Sequence, residues 1–172
     1  MSAIRIHSAR IATVAGAAAA CALVLATLAL PAHAAGRVEV RYVEPARFSD
    51  AGRTAWDRDQ TMAALSAHFD RLGARLPDGR TLRVEVLDVD LAGELLPSPG
   101  GEVRVLRGGA DVPRITLRWT LLEGDRMLRG GVDRLTDVGY LFDAGPRARD
   151  TELPYEARML ERWFDDQIVP AR

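Results

Sequence analysis

The sequence contains no lysine: all 23 of its cationic side chains are arginine. Guanidinium groups suit planar, two-pronged recognition of carboxylates and phosphates, yet here they are scattered among the acids, so the bias is read as codon choice in a GC-rich genome. Cysteine occurs once, as Cys21. With none beyond it, thiol nucleophiles, redox pairs and cysteine zinc sites are excluded from the body of the chain. Of three histidines only His68 lies beyond residue 34, which removes multi-histidine zinc catalysis by count. Neither a dinucleotide fingerprint nor a P-loop occurs, because Gly100-Gly101, Gly108-Gly109 and Gly130-Gly131 match neither pattern and read as turns or bulges. A nucleophile elbow of the Gly-x-Ser-x-Gly kind is absent as well. The formal charge of −1 leaves no basic patch for nucleic acid and no acidic tail.

One long apolar run is present. Arg5, His7 and Arg10 precede an uninterrupted stretch from Ile11 to Leu30, which Pro31 breaks and Ala32-His33-Ala34 follows. A positive flank, an apolar middle and a small-x-small site make a secretory signal. Cleavage is expected after Ala34. Cys21 sits in the middle of the run without a lipobox ahead of it, and leaves with the signal. Residues 1–34 are therefore read as a cleavable signal peptide and 35–172 as a single domain, with no stable membrane span after cleavage and a periplasmic location. Removal of 34 of the 172 residues leaves 138, with 21 arginines against 24 acids and a net charge of −3. A chain of that length buries enough surface to hold together without disulfides.

Periodicity supplies the elements. Residues 37–43 alternate with a period of two and read as a strand ended by Pro45. Thr54 and Asp57 form a capping box, and Met62, Leu65, Phe69, Leu72 and Leu76 recur at helical spacing. Leu82, Val84 and Val86 share a face, and then the phase flips to Leu87, Val89 and Leu91. Such a switch demands a bulge or bend near Val86-Leu87, since a one-residue slip turns every later side chain over. Ala92-Gly93 and Pro97-Ser98-Pro99-Gly100-Gly101 read as a mobile connection, and 103–107 as a short strand. Residues 115–121 and 126–135 make a hairpin whose Gly130-Gly131 suggests a second bulge or a close backbone approach. A polar loop near 146–150 leads to a second helix from about Pro154 to Ile168. The expectation is an α+β fold: a mostly antiparallel sheet of about five strands with two helices packed on one face, in two layers.

Asp88 and Asp90 are the candidate polar site. Two carboxylates two apart on a strand share a face and suit a hard cation, with Glu94, Asp111, Asp133 or Asp137 available to complete its shell. The same pair can be read as the acid and base of glycoside hydrolysis. Equally, such aspartates pair with Arg83, Arg104 or Arg118 across strands. His68, at the border of its helix's apolar stripe, reads as an ordinary boundary residue; Ser49, Ser66 and Ser98 lack the context of a nucleophile. Trp119 and Trp163 fall on apolar stripes and belong to the core, while Trp56 is uncommitted. No catalytic residue, metal site or cofactor is assigned.

Four stretches carry a resemblance: 37–45 (RVEVRYVEP), 86–93 (VLDVDLAG), 103–107 (VRVLR) with 112–115 (VPRI), and 155–164 (YEARMLERWF). In that order they resemble a family of exported proteobacterial proteins of uncharacterised function, DUF3016. The resemblance implies a signal peptide and one small domain, and supplies no catalytic residues. The function expected is a non-enzymatic periplasmic binding domain for a protein or envelope component, acting through a sheet edge or the 97–101 connection. A carboxylate-based glycan hydrolase is the alternative, and a divalent-cation-binding domain a further one.

Overall fold

Arg37–Tyr42 form strand β1, with Val38, Val40 and Tyr42 turned towards the interior as the alternation requires. The structure, a computed structural model, describes residues 35–142 and 152–169. The expected signal peptide and the 146–150 loop lie outside the described residues. All the described residues belong to the unit His33–Arg172.

Helix α1 (Ala55–Gly73) starts at the predicted capping box: the Thr54 hydroxyl accepts from the Asp57 amide at 3.1 Å, and the Asp57 carboxylate accepts from the Thr54 amide at 2.9 Å. Five strands follow: β2 (Arg80–Asp90), β3 (Glu94–Ser98), β4 (Gly101–Val105), β5 (Arg114–Glu123) and β6 (Arg126–Thr136). Helix α2 (Pro154–Trp163) ends in a π-helical turn, Phe164–Ile168.

The main sheet has four strands in the order β1-β2-β5-β6. Its sense is mixed, which corrects the expected five-stranded, mostly antiparallel sheet. β1 and β2 run parallel because α1 carries the chain back to the starting end between them. The remaining two strands form a separate hairpin, β3 with β4. Its Pro97 has no amide to donate, so this strand cannot occupy a central position. Of the connection expected through Ala92-Gly93 and 97–101, Pro97, Ser98 and Gly101 are strand.

The phase switch in β2 is a bulge. Val86 pairs with Leu117 and Asp88 with Thr116, so Leu87 is the extra residue. A second bulge falls at Leu128, since Leu121 pairs with Arg129 and Leu122 with Met127. Gly130 and Gly131 are in regular register with Thr120 and Trp119. Gly130 answers to close approach instead: a Cβ there would sit 2.9 Å from the Trp119 carbonyl oxygen, whereas one on Gly131 would make only ordinary contact with the Trp119 ring.

One face of the sheet meets both helices. Leu82, Val84, Val86, Val89, Ile115, Leu117 and Leu121 pack with Leu65, Phe69 and Leu72 of α1 and with Met159, Leu160 and Trp163 of α2. Fully burying a side chain of this size contributes about 1.5–3 kcal/mol. Trp119 and Trp163 meet edge to face at 6.1 Å, and both indole N–H groups donate to one oxygen of Asp133, at 2.7 and 2.9 Å. Trp56 stands in solvent, 69% exposed. The other face carries Glu39, Arg41, Arg83, Glu85 and Arg118, partly or largely open to water. No described helix is long and apolar enough to cross a membrane.

Gly73 is where α1 touches β1: a Cβ there would lie 2.9 Å from the Val38 amide nitrogen. Gly73→Ala is therefore expected to lower stability by about 1–3 kcal/mol, because the helix must move off the strand. Urea denaturation of the two proteins measures it, and an unchanged midpoint would show that the contact is slack.

Candidate functional site

Asp88 and Asp90 lie just past the Leu87 bulge, and each has a partner. After β1 the chain loops out through a 3-10 turn, Pro45–Arg47, and returns beside β2, where the Asp50 amide donates to the Val89 carbonyl and the Leu91 amide to the Asp50 carbonyl. The Asp88 carboxylate holds that return, accepting from the Ser49 amide at 2.7 Å and the Ser49 hydroxyl at 2.8 Å. Asp90 accepts from Arg114, its cross-strand neighbour, at 2.8 Å. The structure therefore places both at the predicted bend, in contact with Ser49 and an arginine.

The acids named as further ligands are dispersed. Glu94 pairs with Arg107, Asp111 accepts from the Tyr140 hydroxyl, Asp133 joins the two tryptophans, and buried Asp137 accepts from Arg158 at 2.9 Å. Among the described residues, no three His, Cys, Asp or Glu side chains are grouped to hold a metal ion. His68 lies deeper than the expected boundary position, only 5% exposed. Its Nε2 donates to the Glu152 carbonyl at 2.7 Å and its Nδ1 accepts from Arg71, which fixes the neutral ring. Burial pushes its pKa down in the same sense. Ser66 hydrogen-bonds to Tyr42 and Ser49 to Asp88, so neither hydroxyl faces the imidazole as a nucleophile would.

A different place gathers polar groups in a concavity. Where β2 ends, beside β4 and the start of α2, a cavity of about 190 Å³ is walled by Leu91, Leu106, Leu153 and Tyr155, with Arg104 and Glu156 as its basic and acidic members. Glu156 is 2% exposed, and its carboxylate accepts from the Ala92 amide at 2.8 Å. Burial drives its pKa up, against the Ala92 hydrogen bond and the Arg104 charge; the Asp50 charge adds to the rise. Arg104 grips the same turn from the other side, donating through Nη1 to the Ala92 and Gly93 carbonyls and to Asp50 at 2.9–3.2 Å. Ala92-Gly93 is thus clipped by an acid and a guanidinium together.

The rim carries backbone strain. Leu153 enters α2 in the left-handed region at φ 52°, a conformation that costs a residue with a Cβ about 1–2 kcal/mol. Strain of this kind gathers at ligand clamps and switch regions. Next to the pocket a small second core joins Ala92, Val112 and Tyr140, with Leu106 and Tyr155 packed on it. Tyr140 and Tyr155 meet edge to face at 5.0 Å. The chain leaving Tyr140 then exposes apolar side chains, Phe142 at 91%.

Glu156 is absent from the candidates that the sequence offers. Its signal is positional: it stands three, four and seven residues before Met159, Leu160 and Trp163, on the apolar stripe of α2. An acid on a buried stripe is the informative exception to the usual pattern. Chemically, the pocket offers apolar walls, a carboxyl biased towards its neutral form, and one guanidinium.

Two outcomes test these placements. Asp88→Ala should lower stability by about 1 kcal/mol and raise amide exchange at Ser49, as expected for a lost charged acceptor on a half-exposed loop; an unaltered melting temperature would return Asp88 to a chemical role. For Glu156, the folded pKa lies above the ordinary 4.5, so the folded state holds the proton more tightly. That contribution is complete below about pH 4.5 and fades as pH rises through the folded value. Glu156→Gln lacks this loss, so its melting temperature relative to the parent should climb from pH 4 towards pH 8. A flat difference across that range would show an ionised carboxylate in the folded protein.

The family model for a protein of unknown function, DUF3016, matches residues 36–166. Comparisons with curated proteins and with solved structures give no match.

Proposed function

We propose that this chain, which belongs to the DUF3016 family, is a non-enzymatic binding domain of the periplasm that receives one apolar anchor side chain of a partner protein. The observation that carries the reading is the cavity of about 190 Å³ beside Glu156. Small-molecule sites usually enclose about 300–1,000 Å³, whereas a single large side chain filling a desolvated pocket is how protein interfaces concentrate their energy. The strained Leu153 at the rim and the exposed Phe142, near Tyr140 in sequence, suit a surface completed by a partner. The N-terminal signal pattern supports delivery across the inner membrane. The rival readings, a glycan hydrolase or a divalent-cation domain built on Asp88 and Asp90, require carboxylates that Ser49 and Arg114 occupy.

Titration with N-acetyl-phenylalaninamide and N-acetyl-leucinamide, followed by amide NMR, tests the pocket. Shifts should be confined to Ala92, Leu106, Tyr155 and Glu156 and vanish in Leu106→Trp, which fills the cavity. Perturbations spread over the surface, or unchanged by the filling substitution, would remove the anchor reading. Mass spectrometry of the periplasmic protein should give a chain beginning at Ala35; recovery with Met1 attached would remove the location.

A further inference from the structure

The sheet face turned away from the helices carries an ordered set of charges with a surplus of one sign. Glu39 accepts from Arg37 through one oxygen and from Arg83 through the other, at 3.0 and 2.9 Å. Glu85 does the same for Arg41 and Arg118, at 2.8 and 2.5 Å. Both carboxylates have all their oxygens engaged, and these arginines hold both below the ordinary carboxylate range. Four arginines thus meet two glutamates, so the group carries +2 in a chain whose formal total is −1.

The arginines are not used up by these pairs. Each guanidinium has five donors, and the four side chains are 56–71% exposed. Between the two charge rows lies an open groove of about 420 Å³, floored by the strand backbone at Val40 and Val84, whose side chains face the core, and reaching Thr120. The rows are two residues apart along each strand, a spacing of about 6.6–6.8 Å. Alternate side chains of an extended peptide repeat at the same distance.

On the β6 side the face turns apolar. Val132 sits opposite Arg118 in register and is 59% exposed, and Met127, 61% exposed, reaches over Gly130. A polyanionic glycan has charge to offer the arginines but no apolar side chain to cover these two residues. A polypeptide has both.

We propose that this face docks an extended acidic segment of a partner protein, whose carboxylates are received by Arg37, Arg41, Arg83 and Arg118 and whose apolar side chain covers Val132 and Met127. The surface shares no residue with the Glu156 pocket and stands independently of it. Arg37, Arg41, Arg83 and Arg118 act here as half-engaged cations, with Glu39 and Glu85 holding them in place for a further anion.

Fluorescence anisotropy on the full protein as recovered from cells tests this, with a short labelled peptide of glutamates carrying two leucines as the probe. Binding is expected at about 50 mM salt and should weaken steeply by about 500 mM. The double substitution Arg41→Ser with Arg118→Ser, which brings the group to zero net charge, should weaken it roughly tenfold. Val132→Ser should weaken it by a smaller factor, and Leu106→Trp should leave it unchanged. Thermal melts check that the variants remain folded. No binding at low salt, an undiminished affinity in the double variant, or dextran sulfate binding as tightly as the peptide with Val132→Ser neutral would each overturn the proposal.

Discussion

Leu87 has no partner on β5, and the second half of the molecule is arranged around that single unpaired residue. Because the strand gains one residue there, Val89 and Leu91 remain in the interior that Leu82, Val84 and Val86 began. Asp88 and Asp90 are kept on the outside by the same step. Without it, two carboxylates would enter a core made of leucine, valine and tryptophan, at a cost of several kcal/mol each. The bulge also sets where β2 ends. Beyond it the strand receives the returning Asp50 segment, and past Leu91 it turns at Ala92-Gly93, the place that Arg104 and Glu156 hold.

Polar groups are disposed very differently on the two sides of the sheet. On the open face, acids and arginines lie in water, where an individual pair contributes at most about 1 kcal/mol. The pattern there contributes little to stability. On the covered side half-buried Asp133 and buried Glu156 and Asp137 each satisfy particular donors. Asp133 accepts from two indoles, Glu156 from an amide, and Asp137 pairs with two arginines of α2. Removing one member of such a set strands its partner out of water, so these few contacts fix how α2 sits even though burial of its apolar stripe supplies the larger energy.

Local chemistry is legible in the residues and long-range pairing is not. The capping box at Thr54, the bulge at Val86-Leu87, the β5–β6 hairpin and the burial of Trp119 and Trp163 all follow from a few adjacent side chains. The parallel pairing of β1 with β2 does not, since a period of two is the same whichever neighbour a strand takes. β3 is hidden for another reason: Gly and Pro mark turns wherever they occur, and here they flank, and at Pro97 lie within, a strand confined to a small separate hairpin. Asp88 and Asp90 do lie at the bend that the spacing predicts, but the partner that engages Asp88 lies 39 residues away at Ser49. Glu156 is the inverse case, readable from spacing on its helix once that helix's stripe is known to be buried.

Position along α2 links the pocket to the core. Near its start Glu156 holds the Ala92 amide, further along Arg158 donates to Asp137 and to the Tyr140 carbonyl, and Trp163 reaches Asp133. At the end of the π-turn the Ile168 carbonyl accepts from Arg129 of β6. These contacts run the length of the helix and address both ends of the sheet, so a shift of α2 along its axis would break them together. The pocket wall made by Leu153 and Tyr155 is therefore carried on a helix whose position is fixed elsewhere, and the proposed anchor side chain would meet a surface already formed. Binding to such a preformed wall avoids much of the ordering cost that a loop would impose. It also confines adjustment to the one residue at the rim that is already strained, Leu153.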